Sequence, residues 1–250
     1  TRFPRLHVHG SLLPKTSANR RFHHPLHTRS LIVSSVPDRL RSPAALQRTY
    51  TALASLYDAL VPSVSHRART LGHSWIEAQD GEQLLEVGTG TGLAFQHLVA
   101  ANPRGWTVGV DLTPAMIRRA RKRMAGRPHT RYCLHEARAT ALPYAPNTFD
   151  AVFSGYLIDV LPSVRIRPAL REMHRVLHPE GRLVLVYWTA PRRRIERLWG
   201  MIAHALPPLF GGARPIHLRA PLRAAGFHVE ARTSCLQGGL RSAVVRARPA

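Results

Sequence analysis

Leu84-Leu85-Glu86-Val87-Gly88-Thr89-Gly90-Thr91-Gly92 is a short apolar run that ends in a carboxylate and three alternating glycines. Such a run reads as a strand feeding a tight turn, and glycines without Cβ let the backbone pass close beneath a ligand. The following residues, Leu93 to Ala101, read as a helix whose N-terminus faces that loop. Dinucleotide enzymes space these glycines G-x-G-x-x-G and set a pyrophosphate on the helix end. Here the third glycine comes one residue early, and Glu86 stands two residues before the first. A carboxylate at that place repels phosphate and suits an ammonium group, so the loop points to a cationic nucleoside bearing an amino acid.

Further elements follow in order. Thr107 to Val110 reads as a second strand ending at Asp111, and Thr113-Pro114 supplies an expected N-cap and first-turn proline. In the helix Pro114 to Met124, the residues Met116, Ile117, Ala120 and Met124 share one face while Arg118, Arg119, Arg121, Lys122 and Arg123 take the other. Strands are expected at Arg131 to Glu136, Phe149 to Ser154 and Arg182 to Trp188, with a helix from Arg165 to Leu177. The alternation implies a parallel sheet wrapped by helices. Beyond come helical stretches Ile195 to Leu206 and Leu218 to Ala225, then two strand-like runs, His228 to Ser234 and Ser242 to Arg248, joined through Gly238-Gly239 as an antiparallel hairpin.

The acidic-x-Gly-x-Gly-x-Gly loop, the strand ending in Asp111, Leu142-Pro143-Tyr144 and the run Arg171 to Val186 together resemble the class I S-adenosylmethionine-dependent methyltransferases, over roughly residues 43 to 250. The pair Tyr57-Asp58 resembles a feature of the ubiquinone/menaquinone C-methyltransferases and of phosphatidylethanolamine N-methyltransferases. The resemblance implies an α/β fold, a Rossmann-like doubly wound sheet of seven strands, mostly parallel with an antiparallel C-terminal hairpin. It implies S-adenosyl-L-methionine as cofactor, held by Glu86, Gly88, Thr89, Gly90 and Gly92, with Asp111 on the ribose hydroxyls and Leu112, Glu136, Ala139 and Ser154 nearby. One position departs from the family pattern. Where an aspartate commonly accepts the adenine amino group this chain has Arg138, which has no acceptor. Either Glu136 replaces it, or the Ala139 backbone and stacking on Leu112 hold the base.

The composition limits the alternatives. A chain of 250 residues with 44% hydrophobic content can build one sizeable core. Residues 1–42 read as a basic, disordered tail, since 1–37 contain no Asp or Glu and many Arg, His and Ser, a composition that fits a transit peptide, a flexible basic tail or an overextended reading frame equally. The two cysteines, Cys133 and Cys235, form no disulfide framework, and no metal-ligand spacing is present, which makes the cytoplasm the expected compartment. No apolar run approaches the roughly 20 residues of a membrane span. The net charge of +22 invites a nucleic-acid partner, but all the basic residues except Lys15 and Lys122 are arginine, scattered and not interleaved with aromatics. His97, His174 and Asp150 read as structural.

A sulfonium methyl is already activated, so the expected task is alignment and exclusion of water, with one base to help. Tyr57, His66, Tyr156 and Asp159 are the candidates by position. The absence of an Asn/Asp-Pro-Pro-Tyr/Phe tetrapeptide at Ser154-Gly155-Tyr156-Leu157, and of a Pro-Cys pair there, turns the reading away from adenine-amino and cytosine-carbon methylation. The expected acceptor is a small or lipidic molecule. Ile195, Leu198, Trp199, Ile202 and Leu206 beside Arg192 to Arg194 would serve as a lid or as a peripheral membrane contact. A nucleic-acid methyltransferase, a nicotinamide oxidoreductase and a non-catalytic binding protein are the competing readings.

Overall fold

The computed structural model of the chain describes residues 65–126, 131–191 and 213–250, together with position 48. The tail at 1–42, Tyr57 and the stripe at 195–206 lie outside the described residues. Helix α1 is described over 65–76, followed by β1 (Gln83–Val87), α2 (Phe95–Ala101), β2 (Trp106–Asp111), α3 (Pro114–Met124) and β3 (Tyr132–Glu136). Then come β4 (Phe149–Gly155), α4 (Ser163–Val176), β5 (Leu177–Trp188), α5 (Arg219–Ala224), β6 (Phe227–Gln237) and β7 (Leu240–Pro249).

The seven strands form one sheet in the order β3-β2-β1-β4-β5-β7-β6. The first five run parallel, and β7 pairs antiparallel with both β5 and β6. Alternate side chains leave each strand on opposite faces. Leu85, Val152, Leu183 and Leu185 meet Ile166, Leu170 and Met173 of α4 and Leu222 of α5. Their neighbours Leu84, Phe153, Val184 and Val186 meet Ala68 and Ile76 of α1 and Leu98 of α2. Phe95 and Val99 of α2 pack with Ile117, Ala120 and Met124 of α3. The helices α1–α3 therefore cover one face and α4–α5 the other, and the change of face falls between β1 and β4. That is where a ligand crevice forms at the carboxyl ends of the strands.

Two anchors tie the periphery to this frame. Arg182 of β5 donates to Glu82 at 2.8 and 2.7 Å and to the Glu77 carbonyl at 2.8 Å, and also to the Ile76 carbonyl. It thus clamps the end of α1 to the start of β1. Arg175 of α4 donates to the Tyr144 and Leu142 carbonyls at 2.8 and 3.0 Å, while Glu172 accepts the Leu142 amide at 2.8 Å. These bonds hold the loop after β3 against α4.

Several boundaries differ from the sequence reading. Helix α2 starts at Phe95 because 91–94 are spent on turns of the glycine loop. Strand β5 starts at Leu177, which pairs with Phe149 before a bulge re-registers the strands at Ala151 and Arg182. Thr113 occupies the N-cap of α3 without a side-chain cap bond; its hydroxyl goes to Asp111 instead. The Asp150 carboxylate accepts the Gln83 amide at 2.8 Å, the structural role expected of it. His174 stacks edge-on with Phe227, and exposed His97 lies against His73.

Candidate active site

The loop after β1 is fixed to β2 by its backbone. Gly88 and Thr89 amides both donate to the Val110 carbonyl, at 2.8 and 3.0 Å. Gly90 donates to Asp111 Oδ2 at 2.8 Å, and Thr113 donates to Asp111 Oδ1 at 2.8 Å. The loop glycines have separate reasons. At Gly88, with φ +81°, a Cβ would lie 2.8 Å from Leu157, so the loop after β4 can close on it only because it has none. At Gly90, with φ +56°, a Cβ would meet nothing within 4 Å and would project into open space. Gly92 backs onto Ala120 of α3 and lines neither of the clefts described next, so the structure gives it a packing role.

Two clefts open around this loop and share Gly88, Gly90 and Gly155. The larger is walled on one side by Asp111, Leu112, Met116, Ala137, Arg138 and Ala139, and on the other by Tyr156, Leu157, Val160, Leu161, Pro162 and Arg165. The smaller is lined by Arg69, Glu86, Thr89, Thr91, Leu93 and Ala94. Glu86 is buried, and its Oε2 has no hydrogen-bond partner. Burial pushes its carboxyl well above the usual range; Arg69 opposes this and Asp111 adds to it. Arg69 Nε is likewise buried without a partner, and its guanidinium lies over the Tyr156 ring, 5.5 Å from the centroid. Burial also raises the Asp111 carboxyl, against the amides of Thr113 and Gly90 that hold it down.

Buried polar atoms without partners carry a free-energy penalty that a complementary ligand removes. Glu86 offers an acceptor for an ammonium, and Arg69 a donor for a carboxylate. Asp111 stands beside apolar Leu112 and Met116 in the neighbouring cleft, as a ribose and base require. The residues present therefore fit an amino-acid-bearing nucleoside.

Glu86, Gly88, Thr89, Gly90, Asp111, Leu112 and Ala139 come together on the clefts as the sequence implies. Ser154 does not: it is buried and donates to the Val87 carbonyl at 2.7 Å, pinning β4 to β1. Glu136 is exposed at the end of β3 and lines neither cleft, while the following Ala137, Arg138 and Ala139 do. The strand ends one residue short of the turn into the cavity wall, so the carboxylate is left outside.

Among the base candidates, His66 lies on the exposed side of α1 and lines neither cleft. Tyr156 lines the larger cleft, but its hydroxyl is engaged by Ser242 at 2.9 Å and Gln237 at 3.1 Å, and burial pushes its ionisation far up. Asp159 is fully buried; its Oδ2 accepts the Trp188 amide at 2.9 Å, and burial pushes the carboxyl up to about 7. It does not line the cleft and acts behind the wall. Arg69 and Arg165 were not singled out by the sequence, because each is one arginine among the 36 basic residues. On α3, Arg121 and Arg123 donate to the Leu134 and Thr91 carbonyls at 3.0 and 2.8 Å, so part of that basic face serves the fold. Among the described residues no cluster of His, Cys, Asp or Glu could hold a metal ion, and no helix is long and apolar enough to cross a membrane.

Residues 84–181 match a family model described as a methyltransferase domain. A ubiquinone/menaquinone biosynthesis C-methyltransferase from Geobacter sulfurreducens is 32% identical over 152 residues, 60% of this chain and 59% of that protein. The protein of the same name from a Ruegeria species is 32% identical over 185 residues, 71% of this chain and 72% of the relative. The chain thus spans 59% and 72% of the length of these two relatives. Among solved structures, the cyclase SpnF superposes with a TM-score of 0.67 at 18% identity, covering 83% of this chain and 96% of that one. At that identity the likeness concerns the fold alone.

Proposed function

We propose, for a chain that belongs to the class I S-adenosylmethionine-dependent methyltransferases of the ubiquinone/menaquinone C-methyltransferase type, methyl transfer to a carbon of a small quinone-type acceptor. The observation that carries this reading is the pair of partnerless buried atoms, Glu86 Oε2 and Arg69 Nε, beside the Asp111 carboxylate.

When bound, S-adenosylmethionine would supply a methyl carbon already activated by its sulfonium, with S-adenosylhomocysteine as the leaving group and the acceptor's proton passing to bulk water. Glu86 and Arg69 hold the amino-acid end by opposite charges. Asp111, itself fixed by the Gly90 and Thr113 amides, takes the ribose hydroxyls. Leu112 and Met116 pack the base, with the Ala137–Ala139 backbone as its polar neighbour. The outer wall of Leu157, Val160, Leu161 and Pro162 excludes water and matches an apolar ring. Arg165 on that wall favours the ionised form of an acceptor hydroxyl, and the resulting phenolate makes the ring carbon nucleophilic. A lipidic tail on the acceptor and contact with a membrane surface extend the same reading.

Titration calorimetry of S-adenosylmethionine and S-adenosylhomocysteine into the full chain, with Asp111→Ala as control and NADH as competitor, tests the cofactor. Binding that the control abolishes and NADH does not displace supports the enzyme. Absence of binding overturns it in favour of a non-catalytic member of the fold. A mass gain of one methyl on a reduced quinone acceptor, and not on oligonucleotides, then tests the substrate class.

A further inference from the structure

We propose that Gln237, at the tip of the β6–β7 hairpin, is a positioning residue for the amino-acid end of the cofactor cleft, acting on Arg69 through Tyr156. The inference rests on the cofactor reading above and deepens it.

Gln237 and Leu240 face each other across Gly238 and Gly239, whose φ values of +54° and +77° form a tight hairpin turn. The turn brings Gln237 under α1 and beside the loop after β4. Its side-chain amide is used at both ends: Oε1 accepts the Ala68 amide at 3.3 Å, and Nε2 donates to Tyr156 Oη at 3.1 Å and Ser242 Oγ at 3.4 Å. The Tyr156 and Ser242 hydroxyls meet at 2.9 Å. Gln237 and Ser242 are buried, so these bonds are shielded from competing water.

Tyr156 needs such support. Its φ of +59° is left-handed, a conformation that a bulky side chain holds only when its surroundings impose it. The Val186 carbonyl accepts its amide at 2.7 Å and the hairpin tip fixes its hydroxyl, so both ends of the residue are determined. The ring in turn lies beneath the Arg69 guanidinium, the attraction of a cation for a ring face. Ala68, which Gln237 holds through its backbone, is the residue before Arg69. The hairpin tip therefore touches Arg69 from two sides, through the ring below it and the helix backbone before it.

The test is a double-mutant cycle read by S-adenosylhomocysteine affinity in the full chain, with melting temperature alongside. Gln237→Met and Tyr156→Phe are each expected to weaken binding by about tenfold, and the double variant no more than about the worse single one, as for residues acting in series. Ser242→Ala, which removes one Tyr156 partner and leaves α1 untouched, is expected to weaken binding by a smaller factor and serves where Gln237→Met does not fold. A Gln237→Met protein that melts lower with unchanged affinity overturns the proposal, as does a double variant equal to the product of the singles. A wild-type chain that binds no S-adenosylhomocysteine overturns the cofactor reading itself, and with it this one.

Discussion

Asp111 Oδ2 accepts the Gly90 amide at 2.8 Å, so the end of β2 and the middle of the glycine loop are held as one unit. The same carboxylate accepts the Thr113 amide through Oδ1, so it also sets the entry into α3. A side chain placed for the ligand is thus also what shapes the ligand's loop.

Replacing Asp111 by Ala leaves two backbone amides without acceptors, each worth about 1–3 kcal/mol when buried. We expect S-adenosylhomocysteine affinity to fall by at least about tenfold, and the melting temperature to fall with it. Calorimetry and a thermal melt on one preparation measure both. An affinity unchanged within error would remove Asp111 from the site.

Gly88→Ala and Gly90→Ala should separate fold from binding. At Gly88 the new methyl meets Leu157 at 2.8 Å, so the loop after β4 must move and stability should fall by roughly 1–3 kcal/mol. At Gly90 the methyl meets nothing within 4 Å but takes a φ of +56°, so stability should fall by only about 1 kcal/mol while ligand affinity drops, since the position lines both clefts. Urea titrations paired with ligand titrations report the contrast; equal behaviour of the two variants would sink the distinction.

Arg182→Leu should be the most damaging single change outside the site. It strands the Glu82 carboxylate and two backbone carbonyls at the α1–β1 junction. Removing one partner of a buried pair costs about 3–5 kcal/mol. The urea midpoint should shift accordingly, and Arg182→Leu with Glu82→Leu should recover part of the loss.

Asp159 and His73 give pH dependences of opposite sign. The folded-state pKa of Asp159 is raised to about 7, so its contribution is fully present below the ordinary carboxylate value and is lost as pH rises from about 4 to about 7. His73 is lowered to about 4, first by burial, then by His97 and Arg69, so its contribution is present above the ordinary imidazole value and is lost as pH falls from about 6.5 to about 4. Relative to wild type, Asp159→Asn should therefore gain stability on going from pH 4 to 8, and His73→Leu should gain it on going from pH 7 to 4. Melting temperatures across that range for the three proteins decide it; parallel curves would contradict both assignments.

Much of the frame was visible in the chain because it is local. The run from Leu84 to Gly92, the helix from Pro114 to Met124 and the hairpin glycines at 238 and 239 each announce themselves by spacing within about ten residues, and each stands where expected. Ser154 and Glu136 lie away from the clefts for a common reason. Whether a polar side chain near a strand end meets the ligand, a neighbouring carbonyl or solvent depends on the last half-turn of backbone, which periodicity does not specify.

The sequence by itself determined the sheet, the glycine loop and the acidic residues at the ends of β1 and β2, since alternation, glycine conformation and strand-end carboxylates are short-range constraints. Only the tertiary structure decided that Arg69 and Glu86 line one cleft, that Tyr156 is tied to Gln237 and Ser242, and that Asp159 lies behind the cavity wall. The bonds that decide this join residues 81, 86 and 169 positions apart. Such partners are chosen by the packing of whole elements, where desolvation and matched donors select a few arginines and carboxylates from many that look alike along the chain.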